Sequence, residues 1–232
     1  RRPRTGEPTP SEQTAAPGRV LIAGVSGVVG FAASHRFASQ GWDVLGLSRR
    51  RPARLPDAVQ HLAVDLAEPS SIAAVQEQLA GVTHLVYAAL FEKPGLMPGW
   101  REQDQMERNI TMLSNLYRSL AEDGGLKHIS LLQGTKAYGA HIEPMTVPGR
   151  ERNPRHQHEN FYWLQEDFLR DRQSVADFAL TILRPQVIYG EAQGGNMNAL
   201  PALGVYAALL RAQGRDLEFP GGVAPVSEAV EA

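Results

Sequence analysis

The sequence predicts an α/β fold built on a doubly wound parallel sheet, and three observations carry that prediction. Short apolar runs alternate with amphipathic stretches from residue 19 onward. The first run, Arg19–Ala23, leads through Gly24, Gly27 and Gly30 into a polar, alanine-rich stretch. The length of 232 residues suits one sizeable α/β domain, or one domain with a small lobe. Apolar strands alternating with helices require a parallel sheet covered on both faces, and right-handed crossovers make it doubly wound.

Arg19–Ala23 is the first strand, an apolar run too short for a helix and closed by glycines. Gly30–Gln40 follows as a helix, then Asp43–Ser48 and Gln60–Val64 as strands. Ser70–Leu79 reads as a helix behind Pro69, and His84–Ala88 as the fourth strand. Trp100–Ala121 is a long amphipathic helix, His128–Gln133 a strand, Asn160–Gln173 a helix and Leu180–Arg184 the sixth strand. No internal repeat is visible.

Composition excludes several function classes. The 43% hydrophobic and 21% charged content is ordinary for a globular protein, and a net charge of −2 points to neither nucleic acid nor an anionic membrane. With no cysteine there is no disulfide, thiol catalysis or cysteine-held metal. No apolar stretch approaches the ~18 residues of a membrane helix. Residues 1–17, rich in Pro, Thr, Glu and Arg, lack the apolar core of a signal peptide and read as a mobile leader. A cytoplasmic location is the expectation. His156, His158 and Glu159 have metal-binding side chains but no third ligand at zinc-site spacing, so no metal is expected.

The glycine segment is the first candidate site. A strand, tight turn and helix start bring backbone N–H groups and a positive dipole end to a pyrophosphate, here from Gly24, Ser26, Gly27, Val28, Val29 and Gly30. The spacing is G-x-x-G-x-x-G rather than G-x-G-x-x-G, and glycines also serve plain turns. The second strand selects the cofactor. An enzyme using NAD usually carries an acid there for the ribose 2′-OH. This strand ends in Ser48, Arg49 and Arg50, with no acid between Asp43 and Asp57. A guanidinium fork binds a 2′-phosphate, which predicts NADP(H); the alternative is a solvated basic loop. Asp65 could meet the adenine amine while Leu66 packs on the ring, or Asp65 could simply precede a helix. Ala88 and Ala89 leave room for a flat cofactor.

With these elements in place, the chain resembles the extended short-chain dehydrogenase/reductases, and within them the progesterone 5β-reductase/iridoid synthase-like enone reductases. The resemblance runs from about residue 19 to 222. It rests on the order and spacing of the segments Gly24–Gly30, Ser48–Arg50, Leu126–Ile129, Gln133–Gly139, Asn160–Asp167, Leu183–Gly190 and Leu217–Gly221. The broad superfamily uses Tyr-x-x-x-Lys, but four residues after Tyr162 stands Glu166, and Gly134 takes the place of the usual Ser. The enone-reductase pattern implies instead that Lys136 and Tyr162 are the catalytic pair. It also implies that Gln133 lies beside the cofactor, that Pro185, Val187 and Ile188 contact the nicotinamide end, and that Asn109 helps order the lysine and a water. Asn196, Met197, Asn198 and Tyr206 are candidates for the substrate pocket, or an ordinary loop and helix.

The implied fold is a Rossmann domain over 19–190, preceded by a disordered leader over 1–18 and followed by part of a substrate lobe over 191–232. Relatives continue beyond this point, so truncation after Ala232 is the expectation, with a helix starting over Ala224–Ala232. The implied activity is NADPH-dependent reduction of an activated C=C or C=O, preferably an α,β-unsaturated carbonyl. Tyr162 would stabilise the developing oxyanion, and Lys136 would lower the phenol's pKa from its ordinary ~10. A small-molecule carbonyl substrate is the expected partner, with neither nucleic acid nor membrane; a homodimer stays open. The alternatives are a nucleotide-sugar epimerase or dehydratase, and a non-catalytic NADP(H) sensor.

Overall fold

The computed structural model describes residues 17–94, 98–122, 124–192 and 198–219. Six parallel strands form one sheet in the order β3-β2-β1-β4-β5-β6. They are β1 (Arg19–Ala23), β2 (Asp43–Ser48), β3 (Val59–Ala63), β4 (His84–Tyr87), β5 (His128–Leu132) and β6 (Ala179–Leu183). The sheet is doubly wound because the chain steps outward from β1 to β2 and β3, then returns to lay β4 on the other side of β1.

Alternation along the central strands divides the core. Leu21, Leu45, Leu85, Tyr87, Ile129 and Leu131 face one layer, and Val20, Ile22, Val44, Val59 and Val86 face the other. Both sets are buried, as a parallel sheet with two covered faces requires. Helix α1 (Val28–Ser39) packs on the second layer, where Ala33, Phe37 and Ala38 touch the valine set. Helices α4 (Gln103–Ala121) and α5 (Phe161–Gln173) cover the first layer. The Tyr117 and Phe168 rings meet edge-on between them at 5.5 Å.

Two expected helices differ. The stretch Ser70–Leu79 is two short helices, α2 (Pro69–Ala73) and α3 (Gln76–Leu79). Val75 takes φ −117°, ψ 12° between them, and Gln76 reaches across to α4, donating from Nε2 to the Ser119 carbonyl at 2.9 Å. Docking of that amide outweighs helical continuity. The long helix starts at Gln103 rather than Trp100, which lies in a separate 3₁₀ turn over Pro98–Arg101.

The last described helix, α6 (Ala199–Ala212), buries Leu210 and leaves Leu203, Val205 and Leu209 exposed. No described helix is long and apolar enough to cross a membrane. Residues 1–16 of the expected leader, the sites proposed at Asn196 and Met197, and the helix expected over Ala224–Ala232 lie outside the described residues.

Candidate active site

All six strands run the same way, so the residues after their carboxyl ends share one edge of the sheet. Gly24 follows β1, Arg49 β2, Ala88 β4, Gln133 and Gly134 β5, and Arg184 β6. In open α/β sheets ligands bind along this edge, at the switch in strand order between β1 and β4.

The glycine turn is built for close backbone approach. Gly24 has φ +93°, and a Cβ there would lie 2.8 Å from the Ala88 carbonyl oxygen and 2.9 Å from the Ala89 nitrogen. A Cβ on Gly30 would stand 2.2 Å from the Gly24 oxygen. Gly27 caps α1 and offers no side chain to its N–H groups. The first backbone bond of the helix is Phe31 N–H to the Gly27 carbonyl, so the N–H groups of Val28, Val29 and Gly30 have no partner among the described residues. These unpartnered donors, at the positive end of a twelve-residue helix, fit a pyrophosphate.

Arg49 and Arg50 are exposed and unpaired among the described residues, whereas Arg54 meets Glu191 at 2.6 Å. The Ser48 hydroxyl is already engaged. It donates to the Arg50 carbonyl at 2.7 Å and lies 2.9 Å from His61 Nε2, so it shapes the arginine turn. Asp65 accepts from the Ala67 N–H at 3.0 Å, and its own N–H donates to Ser71 Oγ at 3.0 Å. That is a turn before α2. Leu66 is buried in the apolar core cluster.

Lys136 and Tyr162, distant in sequence, converge through Asn160. The Asn160 Oδ1 caps α5 by accepting from the Tyr162 N–H at 3.0 Å, and its Nδ2 donates to the Lys136 carbonyl at 2.6 Å. The Trp163 indole adds a bond to the Ala137 carbonyl at 3.1 Å. Both side chains then lie against Trp100. The Lys136 ammonium is 4.1 Å from its ring centroid, and the Tyr162 ring is 5.1 Å away in edge-on contact. The Tyr162 hydroxyl faces Gly134, where a Cβ would be 3.6 Å from it.

Sequence reasoning missed Glu92. Its carboxylate accepts from the Trp100 indole at 2.7 Å and stands 4.0 Å from the Lys136 ammonium. The segment carrying it is held from both sides. Asn109 accepts from the Phe91 N–H and donates to the Phe91 carbonyl, and Gln105 accepts from the Lys93 N–H at 2.9 Å. Asn109 therefore orders the loop that bears Glu92. No motif marks Glu92; only its place just past the carboxyl end of β4 could have signalled it.

Burial pushes the Tyr162 phenol above its ordinary pKa, and the Glu92 carboxylate adds to that. Burial lowers Lys136, with Glu92 opposing. His141, also missed, packs behind Trp100 at 5.9 Å. Burial, with His158 and Lys136 adding, pushes it down to about 4.

Glu166 explains the absent lysine of Tyr-x-x-x-Lys. It is buried and meets Arg184 at 2.7 Å, Arg170 at 2.9 Å and Arg155 at 3.5 Å. Burial pushes this carboxyl up, but the arginines outweigh it and its pKa lies below the usual range. The Gln133 amide belongs to the same network. It donates to the Tyr162 carbonyl at 2.8 Å and accepts from Arg184 at 2.8 Å, so both its ends are taken up inside the protein. The segment after β6 crosses the cleft: the Pro185 carbonyl lies by Gly134, and Gly190 abuts Val28 at the start of α1. Val187 is exposed, Ile188 is half-buried, and Tyr206 is half-buried on α6. Asn198 caps α6 and donates to the Gly190 carbonyl at 2.6 Å.

A family model, NAD dependent epimerase/dehydratase family, matches residues 20–219. The chain belongs to that family. An (S)-8-oxocitronellyl enol synthase of Nepeta racemosa is 31% identical over 215 residues, covering 87% of this chain and 54% of its own. A 3-oxo-Delta(4,5)-steroid 5-beta-reductase of Arabidopsis thaliana is 30% identical over 232 residues, covering 93% and 56%. The chain thus spans about half the length of these curated relatives. Among solved structures, a UDP-glucose 4-epimerase from Bifidobacterium longum in complex with NAD+ and UDP superposes with a TM-score of 0.67. It is 18% identical, with 82% of this chain and 62% of that one covered, and it shows the shared fold.

Proposed function

We propose that this member of the epimerase/dehydratase family is an NADPH-dependent oxidoreductase that reduces an α,β-unsaturated carbonyl. The observation that carries the reading is the convergence of Lys136 and Tyr162 on Trp100, past the end of the strand that neighbours the glycine turn's own neighbour, β4. The relatives support it, since one is named for a 3-oxo-Delta(4,5)-steroid, which is an enone, and another for an enol synthase.

Gly24 to Gly30 would hold the pyrophosphate, and Arg49 and Arg50 the 2′-phosphate. The bound nicotinamide supplies hydride. Tyr162, kept protonated by burial, would donate from its hydroxyl to the substrate's carbonyl oxygen as negative charge develops there. The Lys136 ammonium supplies the positive charge that steadies the phenolate left behind. The segment from Pro185 to Gly190 would wall the cleft against water.

The test mixes the protein with NADPH and a small cyclic enone and follows absorbance of the reduced nicotinamide. Tyr162→Phe should lower the rate by ~10²–10⁴. Undiminished turnover in that variant, or NADPH bound with no enone reduced, rejects the reading. Replacing Arg49 and Arg50 with Ala should weaken NADPH far more than NADH; equal weakening rejects the 2′-phosphate assignment. The epimerase reading is favoured by the matched family model and opposed by Glu166 at the lysine position. Conversion of a nucleotide sugar without net cofactor oxidation would establish it.

A further inference from the structure

Lys136 and Tyr162 are not alone at the site. The Glu92 side chain is 7% exposed and that of Lys136 18%, so both charges face each other largely out of water. Among the described residues Glu92 receives one hydrogen bond, from the Trp100 indole. The Lys136 ammonium lies between that carboxylate at 4.0 Å and the indole face at 4.1 Å. Lys93, next to Glu92 in the chain, is committed to Glu102 and Asp104. Among the described residues, the other ionisable groups around the cluster are Tyr162 on α5 and His141 against Trp100, with His158 packed on His141 and Arg101 bonded to the His141 carbonyl.

We propose that Glu92 is a positioning residue of this site: its carboxylate, anchored by the Trp100 indole, holds the Lys136 ammonium over the indole face beside Tyr162. The working unit is then a Glu–Lys–Tyr group rather than a Lys–Tyr pair. The proposal deepens the reductase reading and rests on it for its catalytic meaning.

The chemistry follows from charge. A buried lysine tends to lose its proton, and a carboxylate at this distance opposes that loss. The same carboxylate disfavours phenolate at Tyr162, in keeping with the raised phenol described above. Tyr162 therefore starts protonated, as a donor must. After it gives its proton to the substrate oxygen, the Lys136 ammonium stabilises the phenolate while Glu92 favours its reprotonation.

The experiment compares the wild-type chain with Glu92→Gln and Glu92→Asp. Gln keeps an acceptor for the indole and removes the charge; Asp keeps the charge and draws it back by one methylene. The chain has three lysines, Lys93, Lys127 and Lys136, so acylation of each by acetic anhydride can be followed against pH by peptide mass spectrometry. This readout needs no cofactor. In Glu92→Gln the Lys136 midpoint should fall by about one pH unit or more. Glu92→Asp should shift it by less. Midpoints that coincide in wild type and Glu92→Gln, or equal shifts in both variants, overturn the proposal.

The pH profile of NADPH oxidation separates the two claims. A shifted Lys136 midpoint with no turnover by the wild-type chain removes the reductase reading and leaves the Glu92 assignment standing. Turnover with coincident pH profiles does the reverse.

Discussion

Asn160→Ala removes the clasp that joins the two halves of the site. Two bonds go: the α5 cap on the Tyr162 N–H at 3.0 Å, and the donation to the Lys136 carbonyl at 2.6 Å. Losing an N-cap costs about 0.5–2 kcal/mol. The Lys136 carbonyl still receives the Gly139 N–H at 3.1 Å, so it is not orphaned, and the second bond is worth the ordinary ~0.5–1.5 kcal/mol. The sum is about 1–3.5 kcal/mol. For a chain of this size that lowers Tm by ~2–4 °C per kcal/mol. Urea unfolding followed by circular dichroism should show a lower midpoint with an unchanged slope. Asn160→Asp keeps the cap acceptor but has no donor for Lys136, so it should retain the cap's share alone. The NADPH oxidation rate of Asn160→Ala should fall by about 10², since small displacements of a catalytic group are costly. Asn160→Ala with wild-type stability and rate would refute the idea that this side chain assembles the site.

Gly30→Ala brings a Cβ to 2.2 Å from the Gly24 oxygen, so the turn must move; a loss of ~1–3 kcal/mol and weakened NADPH binding by calorimetry are expected. Glu166→Lys restores the superfamily's Tyr-x-x-x-Lys on paper but sets an ammonium against Arg155, Arg170 and Arg184. It should destabilise by ~3–5 kcal/mol in thermal unfolding and not rescue Lys136→Ala. His141 is held neutral when folded, while the unfolded chain takes up a proton below its ordinary 6.5. Its contribution to stability is therefore complete above 6.5 and lost as pH falls through about 4; urea midpoints measured across that window should lose this component in His141→Phe.

The strands were legible because central parallel strands are apolar on both faces. Val20 to Ile22 and Val44 to Leu45 could lie nowhere else. The glycine turn was legible because Gly24 and Gly30 answer a steric demand that no other residue meets. Lys136 and Tyr162 came only from the resemblance, since a loop lysine and a helix-start tyrosine carry no period. Glu92 and His141 stayed hidden because their places around Trp100 arise from tertiary packing, which no local pattern encodes. Leu66 packs into the core and Gln133 is bonded within the Glu166 network, two contacts that no local pattern in the sequence marks. The break at Val75 was missed because Gln76 answers to Ser119 on another helix.

Trp100 is one of three tryptophans, with Trp42 against His84 and Trp163 bonded to a backbone carbonyl. It alone among them touches a carboxylate through its N–H and an ammonium through its ring. Indole emission responds to nearby charge, so a chain keeping only this fluorophore would carry its own optical gauge. Its quantum yield would register each gain or loss of a proton in the surrounding side chains without any added label.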